Sequence, residues 1–208
     1  MPVEFFISAL VTLIVVVDPI GLVPSYVAIT HGLPERATRR NVALRATLIA
    51  AAILIGSALI GDWLLRVLSI GLPAFRIAGG LLLFSIASEM VFGVRIERQS
   101  QQAEQAVEEH VRNIAAFPLA IPLMAGPGAI TATILLASRE GDSTRLMILL
   151  AVIAIVLALC FVVFALAARI AKWLGVIANV VASRLLGVLL AALAVQYVID
   201  GVRTAISG

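Results

Sequence analysis

The chain has 208 residues, 62% of them hydrophobic and 13% charged, with a mean hydropathy of +1.13. A soluble domain carries roughly 45–50% apolar and about 25% charged residues, so this composition excludes a water-soluble globule and specifies an integral membrane protein. The net charge is only +3 and the basic residues fall between apolar runs, which excludes a nucleic-acid surface and marks them as topology signals.

Six apolar spans follow in chain order, at about 5–30, 42–65, 70–93, 113–138, 146–168 and 179–200. Each approaches the roughly 20 residues that a membrane crossing needs; the third and sixth do so by snorkelling charges at their ends. The first span lacks a basic start and continues past a proline, so it reads as a retained helix and not a cleaved leader. Loops one, three and five, with the adjoining helix ends, hold Arg36, Arg39, Arg40, Arg45, Arg95, Arg98, Arg112, Arg169, Lys172 and Arg184. The opposite side holds Arg66, Arg76, Arg139, Arg145 and Arg203, so the asymmetry places the odd loops in the cytoplasm and both termini outside. The one sizeable polar segment, 95–112, reads as a cytoplasmic linker, either a short solvated helix or a flexible link. Cys160 stands alone in an apolar run, which leaves no disulfide framework and no metal cluster.

The chain also repeats itself. A shift of 108 residues places Pro19 on Pro127, Arg76-x-x-Gly79 on Arg184-x-x-Gly187, and Gly93-Val94-Arg95 on Gly201-Val202-Arg203. Residues 1–94 and 113–208 therefore read as two three-helix repeats joined by 95–112. An odd number of spans per half makes the second repeat inverted. The expected fold is all-α, with six transmembrane helices of which the first and fourth are broken.

The breaks carry the chemistry. Asp18-Pro19-Ile20-Gly21-Leu22-Val23-Pro24 and Pro122-Leu123-Met124-Ala125-Gly126-Pro127-Gly128-Ala129-Ile130 each lie near the middle of a span. Proline removes a backbone donor and clashes with the preceding turn, so the helix must open there. The groups released inside hydrocarbon then need protein, water or a ligand. New helices starting at Pro19 and Pro127 would present unpaired N–H groups and partial positive charge to a carboxylate. Gly21, Gly126 and Gly128 allow close backbone approach, and Ser25, Thr131 and Thr133 follow the breaks as lining or repairing hydroxyls. Asp18, an acid at mid-span, can receive a substrate ammonium, carry a coupling proton, or cap its own half-helix. Arg76 and Arg184 are either interfacial anchors or gates. Gly79, Gly80 and Gly187 fit close helix packing better than substrate contact.

These motifs, with Phe117-Pro118-Leu119-Ala120-Ile121-Pro122 ahead of the second break and the ending Gln196-x-x-x-Asp200-Gly201, resemble the MarC family of bacterial and archaeal inner-membrane proteins. The resemblance covers nearly the whole chain. It implies six spans and, for some members, proton-coupled transport of small neutral amino acids such as glycine and alanine. Leu22 stands where many members are expected to carry Asn or a small residue, which bears on pocket size.

The leading expectation is thus a secondary transporter of a small zwitterion, coupled to a proton or to Na+. Its substrate site would comprise Asp18, Pro19, Gly21, Ser25, Gly126, Pro127, Gly128 and Thr131, with Asp18, Arg76 and Arg184 coupling or gating. No cofactor is called for, and a homo-oligomer in the bilayer is left open. The alternatives are an exporter of another small metabolite and a non-transport membrane protein, either an assembly factor or an enzyme. Against an enzyme, no span shows a metal-spaced His cluster or a Ser/His/Asp set, and His31 and His110 are both in loops. With no Walker-type phosphate loop, ATP-driven transport by this chain alone is not expected.

Overall fold

The computed structural model describes residues 2–31, 33, 36–108, 113–138 and 143–207, with side chains except at 36–37, 106–108 and 171–178. His110, Arg112 and Arg139 lie outside the described residues, as do the side chains of Arg36 and Lys172. The described elements are helical: α1 (Pro2–Val17), α2 (Val23–Thr30), α3 (Arg36–Val67), α4 (Leu72–Phe92), α5 (Val94–Glu108), a wide-turned segment Ala115–Met124, α6 (Pro127–Ala137), α7 (Ser143–Ala165) and α8 (Ala167–Ser207).

Four helical stretches are long and apolar enough to cross a membrane: Thr38–Val67, Leu72–Phe92, Ser143–Ala165 and Asn179–Ser207. The pair Ala115–Met124 and Pro127–Ala137, bent by 56° at its break, makes a fifth if it is one span. At 1.5 Å per residue the 16 residues of α1 reach about 24 Å, short of the roughly 30 Å of hydrocarbon. Large side chains turned outward, such as Leu48, Leu59, Leu81, Leu185 and Leu189, give these helices an apolar exterior suited to lipid.

Chain breaks fall where local chemistry demands them. Gly93 closes α4 in a left-handed conformation at φ 82°, and α5 starts at the next residue. In Ala115–Met124, Phe117 and Ile121 both precede prolines and are extended, which is the conformation a following proline ring imposes. Gly126 is also extended, at φ −78° and ψ 174°, and Pro127 opens α6.

The strongest packing joins α4 to α8. A Cβ added at Gly80 would lie 2.7 Å from the Ala194 carbonyl oxygen, one at Gly187 3.1 Å from that of Ala87, and one at Gly201 2.9 Å from that of Pro73. Pro73, Gly80 and Ala87 are seven residues apart along α4, as are Gly187, Ala194 and Gly201 along α8, so small residues meet backbone along an antiparallel seam. Gly80 and Gly187 therefore serve helix packing, while Gly79 faces Thr131 and Leu135 of α6.

One segment differs from its expected form. The start of 95–112 is not a solvated link: Arg95, Gln99 and Ala103 are buried, a four-residue spacing that turns one face of α5 inward against α2, α4 and Ala115–Met124. The salt bridge from Arg98 Nη1 to Glu89 Oε1, 2.7 Å, ties α5 to α4.

Candidate functional site

The first interruption is built by Asp18. Its N–H still donates to the Ile14 carbonyl at 2.8 Å, but its own backbone turns left-handed, with φ 52°. Aspartate tolerates that region when its side chain bonds locally. Here Oδ1 accepts the Gly21 N–H at 3.1 Å, and the backbone carbonyl accepts Leu22 N–H at 3.2 Å. Residues 19–22 are consumed in this turn, so the second half-helix begins at Val23 and not at Pro19 as expected. Glycine at 21 leaves room for this arrangement, because a Cβ there would displace the Asp18 carboxylate.

Two distant residues complete the junction. Arg95 Nη2 donates to the Val16 carbonyl at 2.7 Å, supplying a partner to a helix end inside the protein, and its Nη1 lies 3.2 Å from Met90 Sδ. Ser183 Oγ donates to Asp18 Oδ2 at 3.3 Å, joining α8 to the break. Asp18 and Arg95 are buried and attract each other electrostatically, so each offsets part of the other's desolvation.

The second interruption is open. A cavity of about 250 Å³ is bordered by Gly126, Pro127, Gly128 and Ala129 at the start of α6. Its other walls include Val16 from α1, Ile86 from α4, and Arg95, Arg98, Gln99 and Gln102 from α5. No side chain caps α6, so its first N–H groups lack a side-chain partner at the edge of this space. A Cβ at Gly128 would lie 2.5 Å from Ile86 Cδ1 and 3.3 Å from Val16 Cγ1, so the start of α6 packs closely on α4 and on the end of α1. Gly126 has its own constraint, since a Cβ there would collide with the Pro122 carbonyl.

The expected site residues divide accordingly. Gly126, Pro127 and Gly128 border the cavity. Asp18, Pro19, Gly21 and Ser25 are buried beside it, with the Asp18 carboxylate turned to Gly21 and Ser183. Thr131 packs on the Gly79 side of α6, and the buried Thr133 hydroxyl has no partner among the described residues. Arg76 lies 3.4 Å from Thr204 Oγ1, and the exposed Arg184 extends toward Gly93, so neither is among the groups around Asp18. Sequence reasoning missed Arg95, Gln99 and Ser183. The spacing of Arg95, Gln99 and Ala103 held the signal for the first two; nothing local to Ser183 did. Among the described residues no group of three His, Cys, Asp or Glu side chains converges as metal ligands would.

Apolar spans, a helix interrupted in mid-course and a cavity at its restart define a multi-pass membrane protein with a polar site enclosed among its helices. The family model described as "MarC family integral membrane protein" matches residues 3–206. A UPF0056 membrane protein of Methanocaldococcus jannaschii is 33% identical over 209 residues, covering 99% of this chain and 100% of its own. The UPF0056 membrane protein YhcE of Escherichia coli is 34% identical over 201 residues, covering 96% of this chain and 91% of its own. A relative from Archaeoglobus fulgidus is 35% identical, with coverages of 95% and 92%. No solved structure matches the chain. The chain belongs to the MarC family of integral membrane proteins.

Proposed function

We propose that the protein is a secondary transporter of small neutral amino acids, working by alternating access at the cavity beside the second interruption. The observation that carries this reading is the composition of that cavity: an uncapped helix start and a glycine-smoothed wall on one side, and two arginines and two glutamines of the polar helix α5 on the other. Backbone N–H groups and arginines suit a carboxylate. At about 250 Å³ the space is below the roughly 300–1,000 Å³ of drug-sized pockets, which favours a small substrate. Asp18 is the proposed proton site: its protonation would weaken the hydrogen bond from Ser183 and remove the charge that attracts Arg95.

The proposed architecture has six spans as two inverted repeats, the first span formed by α1 with α2, and both termini outside. Contacts that recur at the 108-residue offset support it. A Cβ at Gly201 would lie 3.2 Å from Arg76 Cβ, and one at Gly93 3.8 Å from Arg184 Nη2; the two pairs are related by that shift. Likewise α1 packs on α7 while Ala115–Met124 packs on α3. Inverted repeats with interrupted helices in matching positions are the architecture of secondary transporters, and they favour transport over catalysis.

A second reading has its own support. The charged residues lining the cavity are Arg95 and Arg98, the latter paired with Glu89, and no acid is among the lining residues, which suits a carboxylate metabolite lacking an ammonium. Alanine, glycine and simple carboxylates offered to proteoliposomes, with and without an imposed pH gradient, separate the two. Saturable, gradient-dependent alanine or glycine uptake is expected. Uptake of carboxylates alone selects the second reading, and silence across the panel with folded protein overturns both.

A further inference from the structure

A larger cavity, about 320 Å³, lies where α2 ends, α3 begins and α7 gives way to α8. Its lining has two chemistries. Tyr26 and Phe164 form an apolar wall, their rings stacked with centroids 4.5 Å apart and planes 6° from parallel. Arg39, Arg40 and Arg169 contribute the rest of its character, and no Asp or Glu is among the lining residues.

Among the described residues these arginines form no salt bridge, and other groups position them. Arg39 donates from Nε and Nη2 to the Leu33 carbonyl at 3.4 and 3.2 Å. Its own carbonyl accepts the Tyr26 hydroxyl at 2.9 Å, which fixes the start of α3 to the aromatic wall. The Arg40 guanidinium lies 6.0 Å over the Phe161 ring. Carbonyls and aromatic faces orient a guanidinium but leave its full charge for a ligand. Topology signals need only spread along the interface and point outward. Here arginines 130 residues apart in sequence meet at one cavity.

We propose that this cavity binds a phosphate-type oxyanion, supplied by the headgroup of an anionic phospholipid. Guanidiniums match phosphate oxygens in geometry and charge, and basic pockets between membrane helices are suited to anionic headgroups. The neighbouring apolar surface favours a lipid over the free ion: Val162 is 49% exposed and Leu166 42%, which offers acyl chains a path beside the arginines.

The test uses the full-length protein in neutral detergent and reads its thermal unfolding midpoint. Phosphatidylglycerol is compared with phosphatidylethanolamine, and inorganic phosphate with chloride at matched ionic strength. Phosphatidylglycerol is expected to stabilise the wild type more than phosphatidylethanolamine does, with apparent affinity falling about fivefold for each arginine removed in Arg40→Gln and Arg169→Gln. The Arg40→Lys and Arg169→Lys pair, which keeps the charge, is expected to retain most of the response. If the Gln pair fails to fold, either single Gln variant makes the same comparison. A response to inorganic phosphate with the same arginine dependence, and none specific to phosphatidylglycerol, keeps the oxyanion site but overturns the lipid as its source. Equal responses in wild type and Gln variants, or no response to either probe in the wild type, overturn the proposal.

Discussion

At the first interruption the chain satisfies itself, whereas at the second it leaves a helix start uncapped beside a cavity. Asp18 turns left-handed and caps Gly21 with its own carboxylate, and Arg95 takes the carbonyl of Val16. Gly126 has no side chain to cap with, and α6 starts beside the cavity. Both sequences carry proline and glycine in a similar place, yet one aspartate makes the first a closed junction. Whether a side chain reaches the loose ends is thus what separates the closed first break from the uncapped second one.

Four substitutions probe that contrast. The largest effect belongs to Arg95→Met, which strips the Val16 carbonyl of its donor and leaves Asp18 buried without its opposing charge. A loss of about 3–5 kcal/mol is expected in unfolding measured in detergent. Unchanged stability would mean that Arg95 does not hold the junction. Asp18→Asn comes next: its amide oxygen can still accept from Gly21, so stability should shift by about 1 kcal/mol or less. Uptake driven by a pH gradient should nevertheless be lost, and uptake at the wild-type rate would return Asp18 to a purely structural role. Gly128→Val adds bulk against Ile86 and Val16, with an expected cost of about 1–3 kcal/mol and a weaker apparent affinity for alanine. Substrate binding unaltered in a folded variant would remove Gly128 from the site. The smallest change is Ser183→Ala, which deletes one hydrogen bond to Asp18 and should cost about 1 kcal/mol while sparing uptake.

Much of the fold was legible because a membrane allows few solutions. Hydropathy located the third and fifth spans within three residues, but the helices that carry the second and sixth run past their expected ends, α3 starting at Arg36 and α8 reaching from Ala167 to Ser207. Proline and glycine located the interruptions, with Pro127 opening α6 as expected. The restart of the first broken helix was misplaced by four residues. Proline chemistry favoured Pro19, but the Asp18 side chain took the Gly21 N–H and spent the intervening residues in a turn. The burial of α5 was obscured by composition, since Glu97, Arg98 and Glu104 make the segment look solvated although Arg95, Gln99 and Ala103 share its inward face. The bond from Ser183 to Asp18 spans 165 residues and follows only from how α8 docks, which no local pattern encodes.

The glycine seam between α4 and α8 bears on how the protein can move. Small residues seated on opposing carbonyls at every second turn leave no slack for sliding: a shift of one residue would drive side chains into backbone along its whole length. These two helices therefore travel as a single strut. The broken backbone belongs instead to the short pieces α1, α2, Ala115–Met124 and α6, and they meet the α4 face of this seam across Gly79 and Thr131.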